Sequence, residues 1–171
     1  MATDDSTTAP EERSRRTSGA RPWVVLLGFV AAVAVAAAIG GLGVQNTTET
    51  YQDLQQPSWA PPSWLFGPVW TVLYLLIALA GWLVWRRVGF GPALVVYAAQ
   101  LVLNAIWTPL FFGAGWLGLA FADLVVLWFL IGTTVVAFWR ISRTAAALLL
   151  PYWAWVTFAG ALNFAVWQLN S

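Results

Sequence analysis

Five long apolar stretches, separated by polar breaks, occupy the chain from Trp23 onward. They run over about 23–44, 63–85, 92–112, 116–139 and 144–169. Each is close to the ~20 residues that carry a helix across a ~30 Å hydrocarbon core. Unbroken apolar runs of this length fit helices and not a barrel, because a helix satisfies its own backbone hydrogen bonds inside lipid. The first break, 45–62, is long and polar. The others are the short segments Arg86-Arg87-Val88-Gly89-Phe90-Gly91, Gly113-Ala114-Gly115 and Arg140 to Arg143. The pattern predicts an all-α membrane protein, a five-transmembrane-helix bundle forming one domain over 23–170. Residues 1–22 mix Asp4, Asp5, Glu11, Glu12 and several arginines with Ser, Thr and Pro, and read as a disordered cytoplasmic tail.

Composition strengthens this picture. Of 171 residues 60% are hydrophobic and 9% charged, with a mean hydropathy of +0.73. Soluble domains carry about 25% charged residues, so this chain is dressed for lipid. The sequence has no Cys and no His, which removes disulfides, thiolate chemistry, the commonest metal ligand and the commonest general base. No metal site, phosphate loop or acid–base pair stands out, so hydrolytic or energy-driven chemistry is not expected. Nothing points to nucleic acid.

The positions of the charges orient the bundle. All 8 basic residues are Arg. They fall in the tail, after the second run (Arg86, Arg87) and after the fourth (Arg140, Arg143). Five crossings put every one of them on the same side. The positive-inside rule then predicts a cytoplasmic N-terminus and an external C-terminus. A rival reading takes Ser14-Arg15-Arg16 and the Ala-rich first run as an export signal. That run exceeds the 7–15 apolar residues of a signal core.

Depth along each helix follows at 1.5 Å per residue. Trp70 and Asp123 fall roughly 10 Å below the outer surface, and Tyr74 lies one turn below Trp70. Asn104, Trp107 and Thr108 reach the outer half, as does the face Trp155, Ala159, Asn163. Unusual residues of four helices thus converge on one level beneath the 45–62 loop. Pro68, Pro109 and Pro151 are expected to interrupt their helices and open space there. Gly67 and Ala159 would leave room at that level. Bland readings stand beside these. Trp23, Trp82, Trp85, Trp139, Trp59, Trp64 and Trp116 suit interfacial anchoring. Asn104 and Asn163 suit interhelical hydrogen bonding as well as a ligand role. Asp123, the one charge within a span, is either functional, or else protonated or hydrogen-bonded to a neighbouring helix.

One segment carries a family pattern. Leu54-Gln55-Gln56-Pro57-Ser58-Trp59-Ala60-Pro61-Pro62-Ser63-Trp64-Leu65-Phe66-Gly67-Pro68-Val69-Trp70-Thr71-Val72-Leu73-Tyr74 resembles L-x-x-P-x-W-x-P-P-x-W-x-F-G-P-V-W-x-x-L-Y of the TspO/MBR family. That family takes in tryptophan-rich sensory proteins and the translocator protein, or peripheral benzodiazepine receptor. Gln100-Leu101-Val102-Leu103-Asn104 with Trp107 and Phe111-Phe112-Gly113, then Pro151-Tyr152-Trp153-Ala154-Trp155 with Phe158-Ala159 and Leu162-Asn163, extend the resemblance in order over about 23–170.

The resemblance implies a pocket capped by the first loop, formed by Phe66, Gly67, Val69, Trp70, Tyr74, Asn104, Trp107, Ala122, Asp123, Val126, Trp155, Ala159, Leu162 and Asn163. It implies ligands such as protoporphyrin IX, haem, sterols or benzodiazepine- and isoquinoline-type drugs, with no required cofactor. A homodimer is implied as well, for which Ala36 with Gly40, or Ala98 with Ala99, offer small-residue contacts. Three readings follow: a tetrapyrrole-binding sensor in a bacterial cytoplasmic membrane, a light- and oxygen-dependent porphyrin-degrading enzyme using Trp70 and Trp155, or a transporter of porphyrin or sterol-like amphipaths. The chain departs from the pattern in three places. Thr50-Tyr51 replaces Trp-Tyr, and Gln56 replaces a Lys before the loop proline, leaving no cation there for propionates. Phe164 and Gln168 replace the Tyr and base of the cholesterol motif.

Overall fold

The computed structural model describes residues 21–42 and 51–171. Residues 1–20 of the expected disordered tail and the first part of the long loop lie outside the described residues. Helix α1 spans Pro22–Leu42, and a 3-10 turn, Ser63–Leu65, leads into α2, Phe66–Val88. Helix α3, Pro92–Thr108, runs on through a π-helical turn, Pro109–Gly113. Helices α4, Leu117–Ile141, and α5, Arg143–Leu169, complete the set. Five helices are long and apolar enough to cross a membrane, and no strand occurs among the described residues. Packing neighbours follow one another as a ring, α1–α2–α5–α4–α3, which closes from α3 back to α1.

Local chemistry sets the helix ends. Pro92 opens α3, where an N–H would have no helical acceptor. Gly89, with φ 69°, ends α2 in a conformation that favours glycine. The Ser142 side chain accepts from the Ala145 N–H at 3.3 Å and caps α5, so α4 and α5 are joined by a single residue.

Arg86, Arg87, Arg140 and Arg143 therefore sit in helical turns rather than in loops. Arg86 and Arg87 lie in the last turn of α2 and Arg140 in that of α4, where a cation complements the helix dipole. Arg86 stacks over Trp82 at 4.7 Å and Arg143 over Trp139 at 5.8 Å. Arg87 Nη1 donates to the Ile141 carbonyl at 2.6 Å, tying α2 to α4.

The prolines act differently from the expectation. Pro68 does not interrupt α2. It is the third residue of that helix, where backbone N–H groups have no acceptor in any case. Pro151 lies inside α5, which continues without a break from Arg143 to Leu169. Only Pro109 changes the helix, as the first residue of the π turn.

Close packing rests on glycines. A Cβ on Gly81 would lie 2.8–2.9 Å from Phe29 and Tyr97, so α1, α2 and α3 meet at that point. Tyr97 is held there by stacking on Phe138 at 5.8 Å and by donating to the Ile77 carbonyl at 3.1 Å. Between α4 and α5, Gly132 makes room for Trp153 and Gly118 for Trp167. Trp128 packs against Trp153 at 5.0 Å, their rings tilted by 45°, and donates to Thr157 Oγ1 at 2.9 Å. Trp128, Trp153 and Trp167 thus fill a helix seam, a third role beside anchoring and lining a pocket. Gly132→Val should push Trp153 out of this seam and cost about 1–3 kcal/mol, read as a lower unfolding midpoint in detergent.

Large apolar side chains such as Leu75, Val95 and Phe129 are exposed on the outside of the ring, as a lipid-facing surface requires. Ala36 is buried within the chain, whereas Ala98 and Ala99 are exposed on α3.

Candidate functional site

The end of the bundle away from the arginines holds an aromatic cluster built mainly by α2 and α5. Two rungs join these helices. Phe66 meets Trp155 at 6.0 Å and 73°, and one turn deeper Trp70 meets Tyr152 at 6.2 Å and 62°. Tyr74, one turn below Trp70, lies against it at 5.2 Å. The spacing of four residues on α2 places Phe66, Trp70 and Tyr74 on one face. Helix α3 adds an acceptor: Tyr74 Oη donates to Asn104 Oδ1 at 3.0 Å. Trp70, Tyr74, Trp107 and Trp155 are all half-buried against the core.

A second polar group braces the same end. Trp107 Nε1 donates to Asn163 Oδ1 at 3.1 Å, and Asn163 Nδ2 donates to the Leu117 carbonyl at 2.9 Å. One amide thus links α3, α4 and α5. Trp107 also stacks on Phe111 at 5.2 Å, which the π turn carries into the core. Ala159 and Leu162 are buried beside this group on α5.

Not every expected residue joins the cluster. Ala122 and Val126 are exposed on the outer side of α4, away from the buried stripe Ala120, Leu124, Leu127. Helical periodicity turns them outward, because 122 and 126 lie across the helix from that stripe. Gly67 is exposed, and a Cβ there would meet nothing within 4 Å, so its smallness makes no room in the described structure. Val69 packs against the core, and Asp123 is half-buried with Oδ2 lacking any protein partner.

The loop folds over the cluster. Tyr51 is buried against Phe66 at 5.4 Å, and its hydroxyl donates to the Pro61 carbonyl at 3.3 Å. Burial pushes the Tyr51 phenol above its ordinary range, so it remains a donor. Gln56 Nε2 donates to the Tyr51 carbonyl. The residue standing where the family pattern has Lys is thus a tie within the loop. Trp59, half exposed, covers Phe158 at 5.9 Å, and Phe158 leans on Trp155 at 5.4 Å.

The far end of the loop is pinned to the end of α5. Gln55 N–H donates to Asn170 Oδ1 at 3.0 Å, and Asn170 Nδ2 returns a bond to the Gln55 carbonyl at 2.9 Å. Sequence reasoning missed this clasp, since a pairing across 115 residues leaves no local pattern. It missed Phe158 and Tyr152 as cluster members too, although both stand in the quoted motif. Asn170→Ala should speed amide exchange in the loop several-fold while shifting the unfolding midpoint little, because both bonds are exposed.

This arrangement of loop, tryptophans and amides meets a matching family profile: that of the TspO/MBR family, which matches residues 29–168. The chain belongs to the TspO/MBR family. Relatives share most of the span. The human translocator protein is 41% identical over 157 residues, covering 88% of this chain and 93% of its own length. A tryptophan-rich sensory protein of Cereibacter sphaeroides is 40% identical over 148 residues, covering 86% and 92%. A tryptophan-rich protein TspO of Archaeoglobus fulgidus is 36% identical over 152 residues, covering 85% and 99%. Membership and five apolar helices together make this chain an integral membrane protein in a lipid bilayer. Within this family member, the loop, α2 and α5 carry the aromatic cluster, and α3 supplies the amide beside it.

Proposed function

We propose that this TspO/MBR protein binds a tetrapyrrole, protoporphyrin IX or haem, or a similarly flat hydrophobic molecule, in the aromatic cluster under the loop. The observation that carries this reading is the pair of rungs, Phe66 with Trp155 and Trp70 with Tyr152. Ring faces and edges at two successive levels suit a planar apolar ligand, and a few neutral amides nearby would fix its orientation. The arginine-bearing end is taken as cytoplasmic and the loop end as external, on the asymmetry of the arginines. Pairing of two copies through the exposed Ala98 and Ala99 of α3 is the accompanying oligomer proposal, which cross-linking in membranes tests.

Titration of the purified protein with protoporphyrin IX should quench tryptophan emission saturably, and an unsaturable, purely collisional decline would sink the reading. The sequence adds a charge prediction. Every arginine lies at the opposite end or in the tail, and the loop carries Gln56. Protoporphyrin IX dimethyl ester should therefore bind at least as tightly as the diacid. A clear preference for the diacid would reveal a cation that this account does not contain.

A second reading is favoured by the placement of oxidisable rings. Trp70 lies against both Tyr74 and Tyr152, so an excited, bound porphyrin would have electron donors at its edge. If the protein degrades porphyrin in light and oxygen, wild type bleaches it and Trp70→Phe or Trp155→Phe slows bleaching. Transport is less well supported. At the arginine end Val84, Ile131, Phe138 and Leu149 are at most 1% exposed, and a passage would have to reopen that packing.

A further inference from the structure

At the end of the bundle that carries the arginines, a groove of about 800 Å³ opens between α1 and α3 on the outside of the ring. Val25, Gly28 and Ala32 form its α1 wall, and Leu94, Ala98 and Leu101 line it from α3. Small residues keep it open: a Cβ on Gly28 would meet nothing within 4 Å. From Gly91 to Leu101 the groove follows α3 for roughly 15 Å, half of a ~30 Å hydrocarbon core. It is therefore one leaflet deep and apolar along its length.

A second cavity, of about 400 Å³, lies among Val88, Pro92 and Ile141 and shares Phe90, Gly91 and Leu94 with the first. Arginines flank this mouth. Arg87 Nη1 donates to the carbonyl of Ile141, a wall of the second cavity, and the rest of its guanidinium remains for another acceptor. On the other flank the Arg21 carbonyl accepts from the Val24 and Val25 N–H groups, so Arg21 begins the first turn of α1. Four residues before Val25, it extends the face of α1 that lines the groove. Arg86 stands close by, since it stacks over Trp82, whose Nε1 donates to the Pro22 carbonyl at 2.9 Å. Among the described residues Asp53 and Asp123 are the only carboxylates, one in the loop and one on the loop side of α4, so none balances these arginines.

We propose that the α1–α3 groove holds one anionic phospholipid of the leaflet at the arginine end. An acyl chain lies along Gly28, Ala32 and Ala98, and the phosphate sits at the mouth between Arg21 and Arg87. The chain gains dispersion contacts that an empty groove lacks, and the arginines supply the charge preference. Ala98 stands at the deeper part of the groove, so the lipid borders any contact between copies made through Ala98 and Ala99. The aromatic cluster lies at the opposite end, and the lipid site is independent of what that cluster binds.

Native mass spectrometry of the full chain tests this, with the protein released from nanodiscs of equal palmitoyl-oleoyl phosphatidylglycerol and phosphatidylcholine. Wild type should retain one lipid after the annular lipids are stripped, phosphatidylglycerol over phosphatidylcholine by about tenfold. Gly28→Leu, which fills the groove, should lose both lipids, and Ala32→Leu, one turn farther along, repeats the filling with a second side chain. Arg21→Gln should keep one lipid but lower the charge preference about fivefold. Gly160→Leu fills a smaller groove between α4 and α5 and should behave as wild type.

A wild type stripped bare overturns the proposal, as does a lipid retained undiminished in both Gly28→Leu and Ala32→Leu. Equal retention of the two phospholipids by wild type refutes the charged mouth. If filling the groove splits a dimer and leaves the retained lipid unchanged, a second copy covers this face and the lipid site is refuted.

Discussion

Replacing both Trp70 and Trp155 with leucine is expected to weaken protoporphyrin IX binding roughly thirtyfold. Each indole offers a ring surface worth about 1 kcal/mol beyond its buried area, and about 2 kcal/mol corresponds to a factor near thirty. Leucine fills much of the volume and keeps the site apolar, so the fold should persist. Trp70 is held between Tyr74 and Tyr152, and Trp155 between Phe66 and Phe158, so their positions do not depend on the ligand. The matched control is Trp23→Leu with Trp139→Leu, two exposed tryptophans at the arginine end. That pair should change the affinity by less than about twofold. Absorbance of the bound porphyrin reads both pairs, because it does not depend on the number of tryptophans remaining.

The largest stability effect is expected at Gly81. A leucine there drives its Cβ to within 2.8–2.9 Å of Phe29 and Tyr97. Tyr97 has little freedom to yield, being stacked on Phe138 and bonded to the Ile77 carbonyl. Overpacking of this kind costs about 3 kcal/mol at the upper end of its usual range. Thermal unfolding in detergent should show Gly81→Leu far below wild type, with Gly81→Ala between them. Gly28→Ala on α1, where a Cβ meets nothing within 4 Å, should leave the midpoint unchanged.

The five spans were legible because lipid imposes a one-dimensional rule. Every buried stretch must be apolar for about 20 residues and satisfy its own backbone. Hydropathy therefore located each helix to within a few residues, and the arginines marked one end. Asn104 and Trp70 were legible for a related reason: polar or amphipathic groups at depth need partners, and the Tyr74–Asn104 bond supplies one. What stayed hidden depends on helix rotation and on contacts distant in sequence. Ala122 and Val126 sit in the right stretch of α4 but turn outward by the helical period. Pro68 was misjudged because its effect depends on its place within the helix, and that start was set two residues earlier, at Phe66. Gln55 and Asn170 look like ordinary surface residues until the loop closes onto α5. Trp128, Trp153 and Trp167 face a helix seam that only the packing order α4–α5 creates.

The central claim is that a flat ligand sits between Trp70 and Trp155. Bound protoporphyrin IX, illuminated in oxygen, oxidises the side chains nearest to it, and peptide mass spectrometry after a brief exposure maps which tryptophans are modified. The account predicts early oxidation of Trp70 and Trp155, with the exposed Trp23, Trp116 and Trp139 spared at the same dose. Oxidation led by those exposed residues, with Trp70 and Trp155 intact, would place the porphyrin on the lipid face and contradict it.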